Sequence, residues 1–291
     1  MKKLLLSTAL IGATTLFSFS VSAVELNWTG CGISKKAFMS EMAKAYEAET
    51  GVKVNLSGGG ATKGIRETAA GNSDIGGTCR HTIPTKEESN TTLHPVAWDA
   101  LVVIVSPDNP VDNITHENLK KVFTGKITNW KDLGGPDAAI KVEARKGKIS
   151  GVGLMARELI FADTDIEFAA TTFHKSTGPV EKTVEKSVTS IALDGISSAR
   201  KRNLKFLKLN GVEPSVANIS SGEYVLFRPL YVATPKKLDE KTKNFIRFVK
   251  SAKGQSVIES QGTVTLKQGA GLWPKYRKNM SMVTGKNKSV F

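Results

Sequence analysis

Val52-Lys53-Val54-Asn55-Leu56-Ser57-Gly58-Gly59-Gly60-Ala61-Thr62-Lys63 decides the fold. A short β-branched strand, Val52 to Leu56, runs into a turn of consecutive glycines, Ser57 to Thr62, and a helix over Lys63 to Ala70 follows. The same order occurs just before it. Glu25 to Thr29 reads as a strand, Thr29-Gly30-Cys31-Gly32-Ile33-Ser34 as a turn, and a helix starts near Lys35. Phe38, Met42, Ala45 and Tyr46 share one face of that helix, and Gly51 ends it. A third copy lies further on: Lys141 to Arg145 is a strand, Gly147-Lys148-Ile149-Ser150-Gly151-Val152-Gly153 a turn, and Leu154 to Phe161 a helix. Strand, turn and helix in alternation predict an α/β fold with a parallel sheet.

Between these units, Asp74-Ile75-Gly76-Gly77 is a short strand closed by Thr78-Cys79-Arg80-His81. Pro95 to Val105 reads as two buried strands, and Ser106-Pro107-Asp108-Asn109-Pro110 breaks the pattern as a lobe boundary would. Thr115 caps a helix to about Phe123, and Leu204 to Leu209 is a strand. Tyr224 to Ala233 is a return strand, with Pro229 confining part of it to an edge. Helices are expected over Lys236 to Ser251 and Gly254 to Gln261. The basic stretch from Lys275 to Phe291 is weakly patterned and is expected on the surface.

The first 23 residues have the plan of a cleaved export signal: Lys2 and Lys3, an apolar run from Leu4 to Phe19, then Val21-Ser22-Ala23. The expected mature chain begins at Val24 in the periplasm and has no transmembrane segment. The formal charge of +14 falls to +12 without Lys2 and Lys3. A basic exported chain is suited to small anions or an anionic membrane before nucleic acid, and the same charge also serves solubility alone. Cys31 and Cys79 are the two cysteines, an even count that makes a disulfide the default in an oxidising compartment.

Glycine lets the backbone turn sharply and approach a ligand, and a helix N-terminus offers unpaired N–H donors and partial positive charge. Three such turns opening on one crevice would make an anion cage from backbone groups, with Ser34, Ser57, Thr62 and Ser150 adding hydroxyls and Arg145 a guanidinium. Enzymatic motifs are lacking: no GxSxG, Walker A, HExxH or dinucleotide fingerprint stands in context. His94, His116 and His174 are scattered, whereas His81 lies two residues from Cys79 at a strand end.

Ser57 to Ile65, Asp74-Ile75-Gly76-Gly77-Thr78 and Phe123-Thr124-Gly125-Lys126-Ile127-Thr128-Asn129-Trp130 carry a family resemblance across nearly the whole mature chain. So do Arg145 with Ser150-Gly151, Leu209-Asn210-Gly211-Val212-Glu213-Pro214, and Phe227-Arg228-Pro229-Leu230-Tyr231. The chain resembles the phosphate-binding proteins of bacterial ABC transporters, within the type 2 periplasmic binding fold. That resemblance implies two α/β lobes, 24–104 with 230–291 and 105–229, joined by hinge crossings near Val103 to Ser106 and Phe227 to Ala233. It implies a ligand-binding cleft between the lobes, an ABC permease as partner and no cofactor. The ligand set it implies is Gly32, Ser34, Gly59, Gly60, Thr62, Cys79, Arg145, Ser150 and Gly151. Three positions depart from the family pattern. Glycine stands where the second loop has serine, Cys79 where the third has a carboxylate, and Val152 where the fourth has threonine. Those departures leave a second reading, a haem or soft-metal carrier using Cys79, His81 and Cys31 as ligands.

Overall fold

The computed structural model describes residues 24–284; the expected export signal and the end of the basic tail lie outside them. The chain opens with β1 (Glu25–Gly30) and a continuous helical stretch made of α1 (Gly32–Ser34), a π turn at Lys35–Met39, and α2 (Ser40–Thr50). Then come β2 (Lys53–Gly58), α3 (Ala61–Ala69), β3 (Ile75–Thr78) and the long β4 (Thr91–Val105). The second half holds β5 (Asn113–Ile114), α4 (His116–Phe123), β6 (Lys141–Arg145), α5 (Gly151–Ala156, extended by a π turn at Arg157–Phe161) and β7 (Thr172–His174). It continues through α6 (Thr177–Glu185), β8 (Ser190–Gly195), α7 (Ile196–Ala199), β9 (Lys205–Leu209) and α8 (Val216–Ser221). The chain then returns through β10 (Phe227–Pro235), α9 (Glu240–Lys250), α10 (Ala252–Ser260), β11 (Val264–Thr265) and α11 (Leu272–Thr284).

Strands lie in the order β2-β1-β3-β10-β4-β8-β6-β7. The parallel pairs β1/β2 and β1/β3 form one end, β6/β8 and β6/β7 the other, and the antiparallel β10 and β4 run between them. The strands of the three glycine units therefore fall in two parallel groups, as the alternation predicts.

The stretch read as two strands is one. β4 spans 15 residues and is buried without interruption from Val96 to Val105. Neither glycine nor a second proline occurs between Pro95 and Val105, and Asp99, the one turn-prone residue there, is paired with Arg228 of β10. At about 3.3 Å per residue β4 is about 50 Å long, more than a strand of ordinary length needs. It changes partners midway: as far as Ala100 it pairs β10, and from Leu101 it pairs β8 and β9. The change falls at Ala100/Leu101, inside the strand, rather than at the proline break after Val105. Pro229 sits opposite Trp98, outside the Tyr231–Ala233 stretch that pairs β3, so it occupies an edge position as expected.

The C-terminal region departs from the sequence reading. Leu272, Tyr276 and Met280 recur every four residues and are all buried, so α11 is a packed helix up to Thr284. Its basic residues hid that spacing. Trp273 and Tyr276 bracket Trp98 of β4, with ring centroids 4.6 and 6.0 Å away. The helix thus closes over the strand that serves both sheet halves. Leu272→Ala should lower the free energy of unfolding by about 2–5 kcal/mol in urea titrations; an unchanged midpoint would mean that α11 is not part of the core.

Candidate functional site

Four helical stretches begin at one cavity of about 330 Å³: Gly32, Ala61, Gly151 and Thr177, the first residues of α1, α3, α5 and α6, all line it. The parallel units aim their helix N-termini at the same crevice because each helix follows the C-terminal end of a strand. Two of the four ends are satisfied internally. Cys31 Sγ accepts from Ser34 N at 3.3 Å, and Ser150 Oγ accepts from Gly153 N at 3.1 Å. The ends of α3 and α6 have no side-chain cap, so their first-turn N–H groups remain available. Gly59 (φ +149°) and Gly60 (φ +91°) hold the backbone in the left-handed region ahead of α3, which accounts for glycine where a serine was expected.

Lys36, Arg145, Lys175 and Arg202 line the cavity, and no carboxylate does among the described residues. Glu181 lies behind the wall, fully buried, and pairs with Lys36 at 2.9 Å and Arg202 at 2.6 Å, with a short hydrogen bond from Ser198. Burial acts to raise its pKa, but those donors outweigh it and hold the carboxyl below its usual range. Asp194 beside it goes the other way: burial, then the Glu181 charge, push it well above the carboxylate range. Arg145 is different again. Its guanidinium is part-buried, donates to His174 O at 3.3 Å, and has no ion-pair partner among the described residues. Burial holds its pKa below the usual value, although Asp194 and the two thiols offset part of that.

Gly32, Gly59, Gly60, Cys79, Arg145 and Gly151 are therefore gathered at the cavity, together with Cys31. Ser34, Thr62 and Ser150 are not lining residues. The Ser34 hydroxyl faces Cys31 Sγ at 3.1 Å, Thr62 Oγ1 donates to Ile149 O at 2.9 Å, and Ser150 caps α5. Their hydroxyls bond within and between the loops.

Both cysteines are buried and, in this structure, free thiols rather than the bridge that the compartment argument favours. Their thiols lie close enough to shift each other's acidity. Burial would raise the Cys31 thiol, but the adjoining Cys79 thiol, hydrogen bonds with Ser34 and the Arg228 charge bring it down to about 6. The Cys31 thiol, followed by burial, pushes Cys79 well up.

His81 does not join them, which corrects the metal-ligand grouping. Its Nε2 meets Glu158 Oε1 at 2.9 Å and its Nδ1 meets Thr82 O at 2.7 Å, so both ring nitrogens are engaged away from the cavity. No cluster of three metal-ligating side chains occurs among the described residues.

The sequence reading missed Lys36, Arg202, and the whole start of α6 at Lys175-Ser176-Thr177-Gly178. The serine, threonine and glycine before Pro179 were a legible helix-start signal. It also missed Asp99 and Arg228, which form a fully buried pair at 3.0 Å. A charged residue inside an apolar strand run, as in Ala97-Trp98-Asp99-Ala100-Leu101 and Phe227-Arg228-Pro229-Leu230, was the available clue.

Residues 33–253 match the model of the PBP superfamily domain. The phosphate-binding protein PstS of Borreliella burgdorferi is 33% identical over 180 residues, 59% of this chain and 64% of that protein. PstS of Bacillus subtilis is 26% identical over 245 residues, 82% of this chain and 80% of that protein. A Clostridium perfringens structure of the phosphate ABC transporter substrate-binding type, with bound phosphate, superposes with a TM-score of 0.76 at 25% identity, covering 83% of this chain and 99% of that one.

Burial alone would lower the pKa of His81, but the hydrogen bond and charge of Glu158 outweigh it and raise it. A raised folded-state pKa stabilises fully below the unfolded value of about 6.5 and ceases to do so as pH rises through the folded value. His81→Gln should therefore cost about 1.5–3 kcal/mol at pH 5.5 and progressively less towards pH 9, read by urea unfolding across that range. A cost that does not change with pH would contradict a charged His81–Glu158 pair.

Proposed function

This chain belongs to the PBP superfamily, a family of binding proteins and not of enzymes, and from that premise we propose that it is a periplasmic receptor for phosphate or a closely related oxyanion. The mixed α/β architecture is that of the type 2 periplasmic binding proteins. The observation that carries the reading is Arg145: a part-buried guanidinium without an ion-pair partner, facing a cavity where four helix N-termini converge and no carboxylate intrudes. A charge removed from water needs a counter-charge, and a tetrahedral oxyanion supplies it while accepting the N–H groups that α3 and α6 leave open.

The ligand set on this reading is Gly32, Gly59, Gly60, Arg145 and Gly151, with Lys175 and the first turn of α6 completing the far wall. The two lobes are the sheet halves on either side of the Ala100/Leu101 switch in β4 and the start of β10. Bending of these two strands opens and closes the cleft. An ABC permease is the partner that receives the ligand, in line with the solved relative described above. Several contacts cross between the halves, including Lys36–Glu181, Thr62 to Ile149 O, and Arg80 Nε to Ile149 O at 2.9 Å; they hold the closed form.

Isothermal titration of the full mature chain with inorganic phosphate tests this. Binding should be measurable, and Arg145→Ala should weaken it about ten- to a hundredfold or more, the worth of one hydrogen bond to a charged group. Wild-type affinity in Arg145→Ala would remove the cavity as the site.

A further inference from the structure

Cys31 and Cys79 are the two nucleophilic groups of the cavity, and the anion-receptor reading gives them no task. Their backbones meet at the end of the β1/β3 ladder. Gly30 pairs with Gly77, and Cys31 N donates to Gly77 O at 3.0 Å, which sets positions 31 and 79 at neighbouring strand ends. Their side chains are 5% and 1% exposed, and both line the cavity. Gly151 of α5 packs directly against Cys79 Sγ with no room for a Cβ, so the sulfurs lie at the seam of the two sheet halves.

We propose that Cys31 and Cys79 form a reversible dithiol–disulfide switch inside the anion cavity, with the disulfide as the tight-binding form and the dithiol as the weak-binding form. The proposal rests on the anion-receptor reading above. The charged groups facing the pair are Arg228 from β10, Arg145 from β6, Lys36 beside the first helical turn, and Asp99 from β4. Asp99 is taken up by Arg228, so the cations at the pair dominate. In the reduced protein, Cys31 is the acidic group of the cavity, and with its pKa lowered to about 6 it is a thiolate at neutral pH. That thiolate occupies the field of Arg145 and Arg228 and opposes a second anion beside it. Oxidation removes the charge. The Cys31 thiolate and the Cys79 thiol form one S–S bond and pass one proton and two electrons to a small disulfide oxidant, which leaves as one thiol and one thiolate. The guanidinium field is then free for the ligand. Burial keeps the pair from larger reagents but leaves it open to any small disulfide that can enter the cavity.

The test uses the full mature chain, treated with either oxidised glutathione or dithiothreitol and freed of reagent, then titrated with inorganic phosphate near neutral pH. Thiols are counted after denaturation in each sample. The oxidised form should show no free thiol and bind phosphate about tenfold or more tightly than the reduced form. Cys31→Ser, which keeps a capping side chain at the start of α1, should bind alike after both treatments. Equal binding by the two wild-type forms, tighter binding by the reduced form, or two thiols remaining after oxidised glutathione would each overturn the switch. Those results would leave the anion-receptor reading standing, whereas phosphate binding by neither form would remove both. The wild-type comparison decides the matter even where Cys31→Ser does not fold.

Discussion

The buried pair Asp99–Arg228 is the constraint from which the rest of the cleft follows. Asp99 lies in β4 and Arg228 in β10, the two strands that run between the sheet halves, and both side chains are wholly out of water. Each charge is shared out completely. Asp99 Oδ2 accepts from Arg228 Nη2 at 3.0 Å, while Oδ1 accepts from Ser197 N at 3.1 Å and Ser197 Oγ at 2.8 Å. Arg228 Nη1 reaches Gly151 O at 3.3 Å. One node thereby ties both crossing strands to the first residue of α5 and to Ser197 of α7. An ion pair this deep is a poor source of net stability, because desolvation offsets most of the attraction. Losing one partner leaves a stranded charge, however, at about 3–5 kcal/mol. The pair is best understood as fixing geometry, and Gly195 records that: a Cβ there would meet Asp99 Oδ2 at 2.7 Å and Arg228 Nη2 at 2.8 Å.

From that node the charges around the cavity divide into those already spoken for and those that are not. Arg228 belongs to Asp99, and Arg80 belongs to Glu88 at 2.6 Å with both side chains buried. Lys36 and Arg202 share Glu181. Arg145 and Lys175 are left without carboxylates, one on each side of the gap between β6 and α6. The site has two uncommitted cations and two uncapped helix ends, which suits a small, multiply charged oxyanion better than a neutral solute.

The sequence was most informative where backbone demands left few residue choices. The glycines before α3 occupy left-handed φ values that other residues resist, so they announced both the turn and the open helix end. β6 was legible to its last residue because a valine and an alanine alternate with charged residues between clear breaks. What stayed hidden depended on pairing across long sequence distances. Asp99 and Arg228 are 129 residues apart and look like interruptions in two apolar strands until they are placed together. β4 reads as two strands for the same reason, since nothing local reveals that an aspartate in its middle is neutralised by another strand. His81 drew attention for its proximity to Cys79 in sequence, but an extended chain points nearby side chains in different directions, and its partner is Glu158, 77 residues away.

The basic composition and the anion site have separate origins. Most of the 41 lysines and arginines lie on the surface, where 0.15 M salt screens a charge beyond about 8 Å. They give a diffuse positive potential that raises the local concentration of any anion but does not choose among them. Selection must come from groups that water and salt cannot reach. In the proposed site those are backbone N–H dipoles at fixed helix ends and a guanidinium with no ion-pair partner among the described residues. The Asp99–Arg228 node fixes the two crossing strands between which α5 and α7 are anchored. The surface charge therefore bears on the rate of encounter, and the buried charge on which anion stays.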